Sequence, residues 1–458
     1  MSRRSSSVNC RHKCPGLRGY KSKYLITSTA RDKKGYFNIS AGVQQEVWPT
    51  TIPLFQFAIF YNMDLEINPG PNMTITGPVH SNGTIYAQPQ AILTFEDPVS
   101  AAGDIIHDKM PIDPSGRTPG QIFYHGDPKK TSFAPSLNLP VGTNNSPSVV
   151  REVVELPPSG ETATSPMGKQ RYYNQADLVI KVTDSGVVAT SGLVNNFATV
   201  IPASDVNKFV NTSVTFFNKR ENDTIKTTQI DVAKLRNWNA TNTLLRSVVP
   251  FGDIRIIYVN DQRTQSGSTQ AGVRLINGET LLPRGLTVAT PNPLYVLGHY
   301  NSPNSTRGTL DTTGTVPASL VADAITILSP NWDDSNSTQN LSERDATDAT
   351  VNAAFLAGIV PTTSASYSGG VENFPRFLED WSGKTFTYNG SMVVMYESRY
   401  ATGQWQGTGG GINIYNPPVR NWSFDINFRD PTKIPPGTPS AKVLARAGWK
   451  AYRPAYSL

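Results

Sequence analysis

The stretch TITGPVHSNGTIYAQPQAILTFEDPVSAAGDI, Thr74–Ile105, contains the same pattern twice, twenty residues apart. The matched pairs are Ile75 and Phe95, Pro78 and Pro98, Val79 and Val99, Gly83 and Gly103, and Ile85 and Ile105. A repeat of this length is typical of a β-solenoid, in which each turn of chain, called a rung, lays short strands beside those of the rung before it. We expect the apolar pairs to stack inside, with Gly and Pro at the corners.

The β pattern continues later in the chain. Leu286 and Val288 alternate with small or polar residues, as half-buried strands do, and the nearly continuous apolar run 316–328 predicts a strand buried on both faces. The composition agrees, because 36 Gly and 35 Pro favour short strands joined by turns. We therefore predict a mainly β fold: a right-handed parallel β-solenoid with an α+β insertion and a C-terminal cap of helices and a hairpin.

The chain divides into six predicted segments. They are a basic, disordered arm (1–40), the first part of the solenoid with a short leading helix (41–130), the α+β insertion lobe (131–250), the second part of the solenoid (251–330), the helical and hairpin cap (331–430), and a Pro-rich linker with a basic tail (431–458). In the insertion, strands are expected at 176–182 and 214–217, and helix within 232–249. In the cap, we expect helices over 342–360 and 374–381, and a type I′ hairpin turning at Asn389-Gly390.

The positive charge is confined to the arm. The whole chain carries +6, whereas residues 1–34 hold ten Lys/Arg against Asp32, which leaves 6 − 9 = −3 for the remainder. A basic arm of this kind is suited to nucleic acid or to anionic lipid headgroups. The simpler alternative, which we favour, is a solvated leader.

Metal and cofactor motifs are incomplete. Cys10 and Cys14 flank His12 as half of a zinc site, but no second pair follows, so the sequence leaves metal binding by these cysteines open. The acidic run 333–348 offers oxygen ligands for calcium, but it lacks the glycine of an EF-type loop, and helix capping explains it better. We predict no metal site and no cofactor.

The sequence also lacks a clear catalytic site. The nucleophile-elbow, zinc-protease and phosphate-loop motifs are absent from it. His80, His107 and Asp104 flank the repeat, where a β-helix can carry carbohydrate chemistry, but the register places Ser100 opposite His80 instead of a second titratable group. We therefore assign no catalytic residue and favour a protein that is not an enzyme.

Neither a membrane span nor an export signal is predicted. The most apolar run, 52–61, is half of the about 20 residues that a spanning helix needs. No apolar segment follows the basic arm, as it would in a secretory signal.

The candidate ligand-binding residues are aromatic. Trp381, Trp405 and Trp422 lie close together in the C-terminal part of the sequence, with Tyr396 and Tyr400. Such rings stack on sugars or on a partner protein. The alternative is that they form the core of the cap.

Four segments of the chain resemble one protein family. They are IPLFQFAIFYNMDLEINPGPNMTITGPVHSNGTIYA (52–87), GLTVATPNPLYVLGHYN (285–301), PASLVADAITILS (317–329) and ENFPRFLEDWSGKTFTYNGSMVVMYESRYATGQW (372–405). Together they resemble PilX-like pilus-assembly proteins of the bacterial envelope over about residues 40–440. The resemblance implies a location at the cell envelope or extracellular surface. It also implies partners among other pilus or envelope proteins, with surface glycans as further ligands.

Members of that family begin with a hydrophobic pilin-type helix, in whose place this sequence has the basic arm. Membrane contact is therefore expected only if a helix precedes this chain. The leading hypothesis is a non-enzymatic structural or adhesive protein of type IV pilus-like machinery. The alternative is a carbohydrate-binding or carbohydrate-active β-helix. The second alternative is a capsid-like shell protein whose arm binds nucleic acid; it ranks last, because solenoid rungs differ from jelly-roll hairpins.

Overall fold

The computed structural model describes residues 7–9, 17–31, 40–191 and 199–452. The fold is mainly β, with 40% of residues in strands and 11% in helices, and its large sheets contain many parallel strands. No helix within the described ranges has the length and apolarity needed to cross a bilayer.

The strands of the first third of the chain are short, apart from β3 and β4. They are β1 (Ser7–Asn9), β2 (Arg18–Lys21), β3 (Tyr24–Arg31), β4 (Ser40–Pro53), β5 (Ile59–Tyr61), β6 (Leu65–Ile67), β7 (Met73–Ile75), β8 (Val79–Ser81), β9 (Ile85–Ala87), β10 (Ile92–Phe95), β11 (Val99–Ala101), β12 (Ile105–Ile106), β13 (Gln121–Tyr124) and β14 (Lys130–Thr131).

The remaining strands are longer on average. They are β15 (Leu178–Thr183), β16 (Gly186–Ser191), β17 (Val200–Ile201), β18 (Val210–Asn218), β19 (Asp223–Asp231), β20 (Ile256–Asp261), β21 (Thr269–Ile276), β22 (Leu286–Ala289), β23 (Leu294–Leu297), β24 (Ala318–Ala322), β25 (Ile325–Leu328), β26 (Ala349–Ile359), β27 (Arg376–Phe377), β28 (Thr385–Glu397), β29 (Val419–Phe424) and β30 (Ser440–Tyr452).

Helices are few and short. The α-helices are α1 (Pro147–Arg151), α2 (Tyr172–Gln175), α3 (Ala203–Val206), α4 (Val232–Thr241) and α5 (Thr243–Arg246). Single 3₁₀ turns lie at Leu54–Gln56, Pro250–Gly252, Asp334–Asn336, Leu341–Glu343, Val371–Asn373 and Ile426–Arg429.

The twenty-residue repeat forms a stack of parallel strands. β5, β8 and β11 pair in order in one sheet, β6, β9 and β12 in a second, and β7, β10 and β13 in a third. The predicted partners Ile75 and Phe95, Val79 and Val99, and Ile85 and Ile105 lie directly opposite each other. All six side chains are buried, so the repeat encodes both the register and the core.

Glycine and proline mark the corners of this stack. Gly77 has φ 87°, and a Cβ there would lie 2.5 Å from the ring of Phe424, so the position requires glycine on two grounds. Gly83 approaches the preceding layer closely, since a Cβ there would lie 2.6 Å from the backbone nitrogen of Asp64.

A second series of parallel strands follows. β20, β22, β24, β26 and β28 pair in that order, and β28 then pairs with β5 of the first series. The result is a thirteen-stranded sheet that also includes β29 and, at its far edge, β15, β16 and β17. A six-stranded sheet, β18-β19-β21-β23-β25-β27, forms a separate layer. Strands β15 and β18 and helices α4 and α5 confirm the elements predicted within 176–249.

The predicted cap differs from the structure in three places. The helix predicted over 342–360 is wrong, because this segment contains β26, whose first ten residues are all buried. The helix predicted over 374–381 is also wrong, since β27 lies there. The hairpin at Asn389-Gly390 is wrong as well. β28 runs straight through, and a Cβ at Gly390 would lie 2.0 Å from the carbonyl oxygen of Ala353 in β26.

The apolar run 316–328 is two strands and not the one strand predicted. β24 and β25 belong to different sheets, and the chain turns between them at Asp323. The buried Asp323 carboxylate accepts hydrogen bonds from the backbone N–H groups of Arg399 (2.7 Å), Tyr400 (3.1 Å) and Ala401 (2.7 Å) and also contacts the guanidinium of Arg151. A carboxylate bonded in this way fixes the corner.

The two ends of the chain form one antiparallel sheet, which we call the terminal sheet. It has the order β1-β2-β4-β3, with β30 on the other side of β4. The prediction of a disordered arm is therefore wrong for residues 7–9 and 17–31, and the basic tail contributes a strand. Cys10, His12 and Cys14 lie outside the described residues.

Candidate interaction surface

The terminal sheet is anchored to the body at one end only. Ile52 of β4 and Ala441 of β30 are buried, and the N–H of Arg18 donates to the side-chain oxygen of Gln56 at 2.7 Å. In contrast, every residue of β3 is exposed. No strand of the described part of the chain pairs with the outer edge of β3. This end of the sheet therefore projects from the protein.

The register places the apolar side chains of the terminal sheet on one face. Tyr24 lies opposite Val47, Ile26 and Trp449 lie opposite Gln45, Leu444 lies opposite Pro49, and Ala451 lies opposite Val43. Residues directly opposite in an antiparallel pair point to the same face, and alternate residues along β4 share that face. We call Tyr24, Ile26, Val43, Leu444 and Trp449 the apolar face.

The apolar face is open to solvent. The exposed fractions are 56% for Tyr24, 55% for Ile26, 45% for Val43, 56% for Leu444 and 69% for Trp449. Single exposed apolar residues are common, but a contiguous group on one face of a sheet marks a contact site. Leu25, which is 57% exposed, points to the opposite face of the same strand, since it pairs with Glu46.

The terminal sheet is also strongly basic. Its ranges 17–31, 40–53 and 440–452 contain seven Lys/Arg and one acidic residue, Glu46. Lys23 binds Glu46 at 2.8 Å and lowers its pKa, chiefly through this hydrogen bond. Lys442 and Arg446 lie opposite Thr51 and Val47, which places both cations on the apolar face. The surface therefore combines apolar area with positive charge.

The three candidate stacking residues lie in two places. Trp381 is fully buried against Phe377 and Phe386, so no face of its ring is open to a ligand. Trp422 is half-buried, also beside Phe386, with its ring 5.4 Å from the Arg420 guanidinium. Trp405 is half-buried elsewhere, and its indole N–H donates to the hydroxyl of Tyr415 at 2.9 Å.

The histidine of the repeat lies in a hydrogen-bonded chain. His80 Nδ1 lies 2.8 Å from the hydroxyl of Ser100, and Nε2 lies 3.1 Å from Oδ1 of Asn82. The Asn82 amide is oriented by the backbone of Leu137, so Oδ1 accepts and Nε2 carries the proton. Burial lowers the pKa of His80 to about 4, which keeps the imidazole neutral.

The other two polar residues near the repeat have separate partners. The carboxylate of Asp104 accepts from the hydroxyl of Ser132 at 2.7 Å. His107 Nε2 lies 2.9 Å from the hydroxyl of Tyr124. The structure therefore leaves His80, Asp104 and His107 in three different hydrogen-bonded environments.

The acidic run 333–348 serves local structure where its contacts are defined. Asp333 caps the 3₁₀ turn at 334–336 by accepting from the N–H of Ser335 at 2.9 Å, which agrees with the capping interpretation. Asp334 binds the guanidinium of Arg274 at 2.6 Å. Across the ranges that the structure describes, no three His, Cys, Asp or Glu side chains are grouped to hold a metal ion.

Two buried carboxyl groups have strongly raised pKa values. Burial raises the pKa of Glu379 to about 7, although its carboxylate accepts from both the N–H (2.7 Å) and the hydroxyl (2.6 Å) of Ser329. Burial likewise raises the pKa of Glu372 to about 7. Sequence reasoning missed both, because neither belongs to a motif. Only their position inside apolar segments could have signalled burial.

Known proteins show little similarity to this chain. No protein-family model and no curated protein matches the chain. One solved structure that matches is the competence-associated pilin ComZ from Thermus thermophilus, with 10% identity, a TM-score of 0.31, and coverage of 98% of this chain and 86% of that chain. A TM-score at this level carries no argument about fold or function.

Proposed function

We propose that this chain is a non-enzymatic structural or adhesive protein of the cell envelope that works with type IV pilus-like machinery. The observation that carries the proposal is the apolar face of the terminal sheet, because a folded protein exposes such an area where it contacts another surface. The resemblance of segments 52–87 and 372–405 to PilX-like proteins supports the envelope as the setting. Its partners would be other pilus or envelope proteins.

We further propose that the body is a right-handed parallel β-solenoid that the segment 131–250 extends at its far edge, where β15 and β19 pair in parallel with β20 and β21. The twenty-residue register of the first series supports this architecture. The parallel order of β20, β22, β24, β26 and β28 supports its continuation in the second series. A stack of this kind is a rigid support for a contact surface, because each layer is hydrogen-bonded to the next.

The test of the envelope function is the location of the native chain. Cells of the source organism are sheared to release surface structures and then separated into sheared, envelope and cytosolic fractions, with a marker protein for each. Mass spectrometry should find this chain in the sheared or envelope fraction. Recovery with the cytosolic marker alone would overturn the proposal.

A second candidate function is carbohydrate binding. A cavity of about 580 Å³ lies between the loops 310–317 and 423–428. Its lining includes the polar residues Thr313, Asn427 and Lys433, which are residue types that bind the hydroxyl groups of a sugar. Trp422 precedes the lining residue Ser423 in the sequence but itself lines a separate cavity with Tyr388 and Met392.

The second candidate is tested with the purified chain on a panel of glycans. Retention of one glycan that is lost in Lys433→Ala and kept in Trp405→Ala would favour sugar binding at this cavity. Loss only in Trp405→Ala would place the site at Trp405 instead. No retention of any glycan would remove this candidate.

A further inference from the structure

We propose that the apolar face of the terminal sheet docks on the surface of an anionic lipid bilayer, with its aliphatic side chains among the acyl chains and its cations at the phosphates. This inference rests on the proposed envelope function and names the surface that the sheet contacts. The observations that carry it are the composition of the face, its charge and its projection from the body.

The composition of the face fits the boundary between lipid headgroups and hydrocarbon. Ile26, Val43 and Leu444 are aliphatic side chains that gain free energy only by leaving water for an apolar medium. Trp449 and Tyr24 each combine an apolar ring with a polar group, the pair of properties that concentrates these residues at membrane interfaces. The register presents all five side chains on the same face of the sheet.

The charge of the sheet fits anionic lipid. Seven Lys/Arg and one acidic residue lie in its three strand regions. Lys442 and Arg446 share the apolar face itself, whereas Lys21, Arg31 and Lys450 lie on the opposite face and add to the long-range positive potential of the sheet. Each Lys or Arg held near an anionic leaflet strengthens binding about fivefold. The long side chain of Arg446 can reach outward to a phosphate while its stem stays against the apolar residues, whereas Lys442 lies at the anchored end of the sheet beside Leu139 and Pro140.

Two other partners fit the face less well. A nucleic acid would use the cations and the two aromatic rings but would leave Ile26, Val43 and Leu444 against water or phosphate. A second copy of the same sheet would bring two surfaces of equal positive charge together, which costs free energy. An anionic bilayer satisfies both the aliphatic residues and the cations.

The anchoring of the sheet allows the contact. The residues that hold the sheet to the body, such as Ile52 and Ala441, lie at one end. Tyr24, Ile26 and Trp449 pair with residues 45–47 of β4, away from that end. A planar surface can therefore approach the apolar face at the projecting end of the sheet.

The experiment is flotation of the full chain with vesicles of phosphatidylcholine alone or with 30% phosphatidylglycerol. The wild-type chain should float with the anionic vesicles and remain unbound with the neutral ones. Lys442→Glu/Arg446→Glu should weaken binding at least tenfold, and Leu444→Asp/Trp449→Ala should weaken it by a similar factor even at low salt. Val188→Asp, which alters an aliphatic side chain that is 57% exposed on β16, outside the terminal sheet, is the matched control and should bind as wild type.

Each other outcome overturns the bilayer proposal. Vesicle binding that both double variants retain would show a different site. Binding of a single-stranded oligonucleotide without vesicle binding would assign the face to nucleic acid, and self-association lost in both variants would assign it to a second copy. Circular dichroism melts of each variant establish that it is folded. Recovery of the chain in the native envelope without any vesicle binding would leave the envelope function standing and remove only this inference.

Discussion

Ile59 of β5 lies directly between Met392 of β28 and Val79 of β8, with a parallel partner on each side. The first strand series and the last strand of the second series therefore meet at β5, and the thirteen-stranded sheet has no break between them. The terminal sheet leaves the body just before β5, because β4 ends at Pro53. The surface that we assign to function is thus attached where the two series join.

The first prediction concerns the core of the stack. Phe95 is 1% exposed, packs 5.1 Å from the ring of Tyr124 and faces Ile75 on the neighbouring strand. Phe95→Ala should lower the free energy of unfolding by about 3–5 kcal/mol, because it removes buried area and leaves a cavity. Ile92→Ala, on the same strand but 39% exposed, should cost less than about 1 kcal/mol. Urea denaturation measures both, and equal losses would contradict the placement of β10.

The second prediction tests the twenty-residue register directly. Thr74 and Thr94 are opposite partners on β7 and β10, and Phe123 follows in the same row on β13. In a chain with Cys10 and Cys14 replaced by Ser, Thr74→Cys/Thr94→Cys should form a disulfide on mild oxidation, because adjacent strands lie about 4.8 Å apart. Thr74→Cys/Phe123→Cys should not, because two strand spacings are about 9.6 Å. Thiol titration distinguishes them; bridging in the second pair alone would refute the register.

The third prediction concerns the corner at Asp323. Asp323→Asn should cost about 3 kcal/mol, because it removes one of the two carboxylates that pair with the buried guanidinium of Arg151 and turns an amide NH₂ toward backbone N–H groups. Asp205→Asn removes a partner of the exposed Lys208 and should cost less than about 1 kcal/mol. Thermal and urea denaturation of the two isosteric variants give the comparison. A loss at Asp323 no larger than that at Asp205 would mean that Asp323 does not hold the corner.

The fourth prediction is a fall in stability on the alkaline side. The pKa of Glu379 is about 7 in the folded chain, against an ordinary value of 4.5, so the folded state holds this proton more tightly than the unfolded state does. Its contribution is fully present below pH 4.5 and is lost as the pH rises through 7. In wild type, the free energy of unfolding should therefore fall between pH 5 and pH 8. In Glu379→Gln this fall should be smaller by about 1–3 kcal/mol.

The control for that measurement is Glu343→Gln, since Glu343 is exposed. The control should keep the wild-type pH dependence. The pKa of His80 is lowered to about 4, so its contribution is fully present above pH 6.5 and decreases as the pH falls toward 4. This decrease overlaps the acidic part of the measured range, but it is the same in wild type and in both variants and cancels in the comparison. Identical pH profiles for Glu379→Gln and wild type would contradict a protonated Glu379.

The stack of parallel strands could be predicted from the sequence because residues separated by a constant interval of twenty lie opposite each other on neighbouring strands. The same twenty-residue interval also relates polar residues. Asn62 and Asn82 are also twenty residues apart, and the structure joins their side chains by a hydrogen bond of 2.8 Å. The polar residues Asn62 and Asn82 therefore follow the same twenty-residue interval as the apolar core residues.

The predicted cap failed where burial removed the alternation on which strand prediction depends. β26 is buried on both faces, so its alanine-rich run follows the local helix preference of alanine and shows no period of two. Asn389 and Gly390 favour a hairpin locally. In β28, however, the Asn389 amide donates to Asn352 Oδ1 at 2.7 Å across the sheet, and Gly390 allows β26 to approach. Tertiary packing decided both segments.

The interaction surface was beyond local sequence reasoning for another reason. The apolar face exists only because β30, at the end of the chain, pairs with β4 and so places Leu444 and Trp449 beside Tyr24 and Ile26. Neither segment has a strong apolar pattern alone. The basic character of both ends was visible, but their meeting in one sheet was not.

The most direct test of the central claim, that the chain works at the cell envelope through the terminal sheet, is fractionation of native cells that express either wild type or Leu444→Asp/Trp449→Ala from the native locus. We predict that the wild-type chain is recovered with the envelope or sheared surface fraction and that the variant, at equal abundance, is depleted from it. Equal recovery of both in that fraction would contradict the role of the sheet, and a wild-type chain confined to the cytosolic fraction would contradict the envelope function itself.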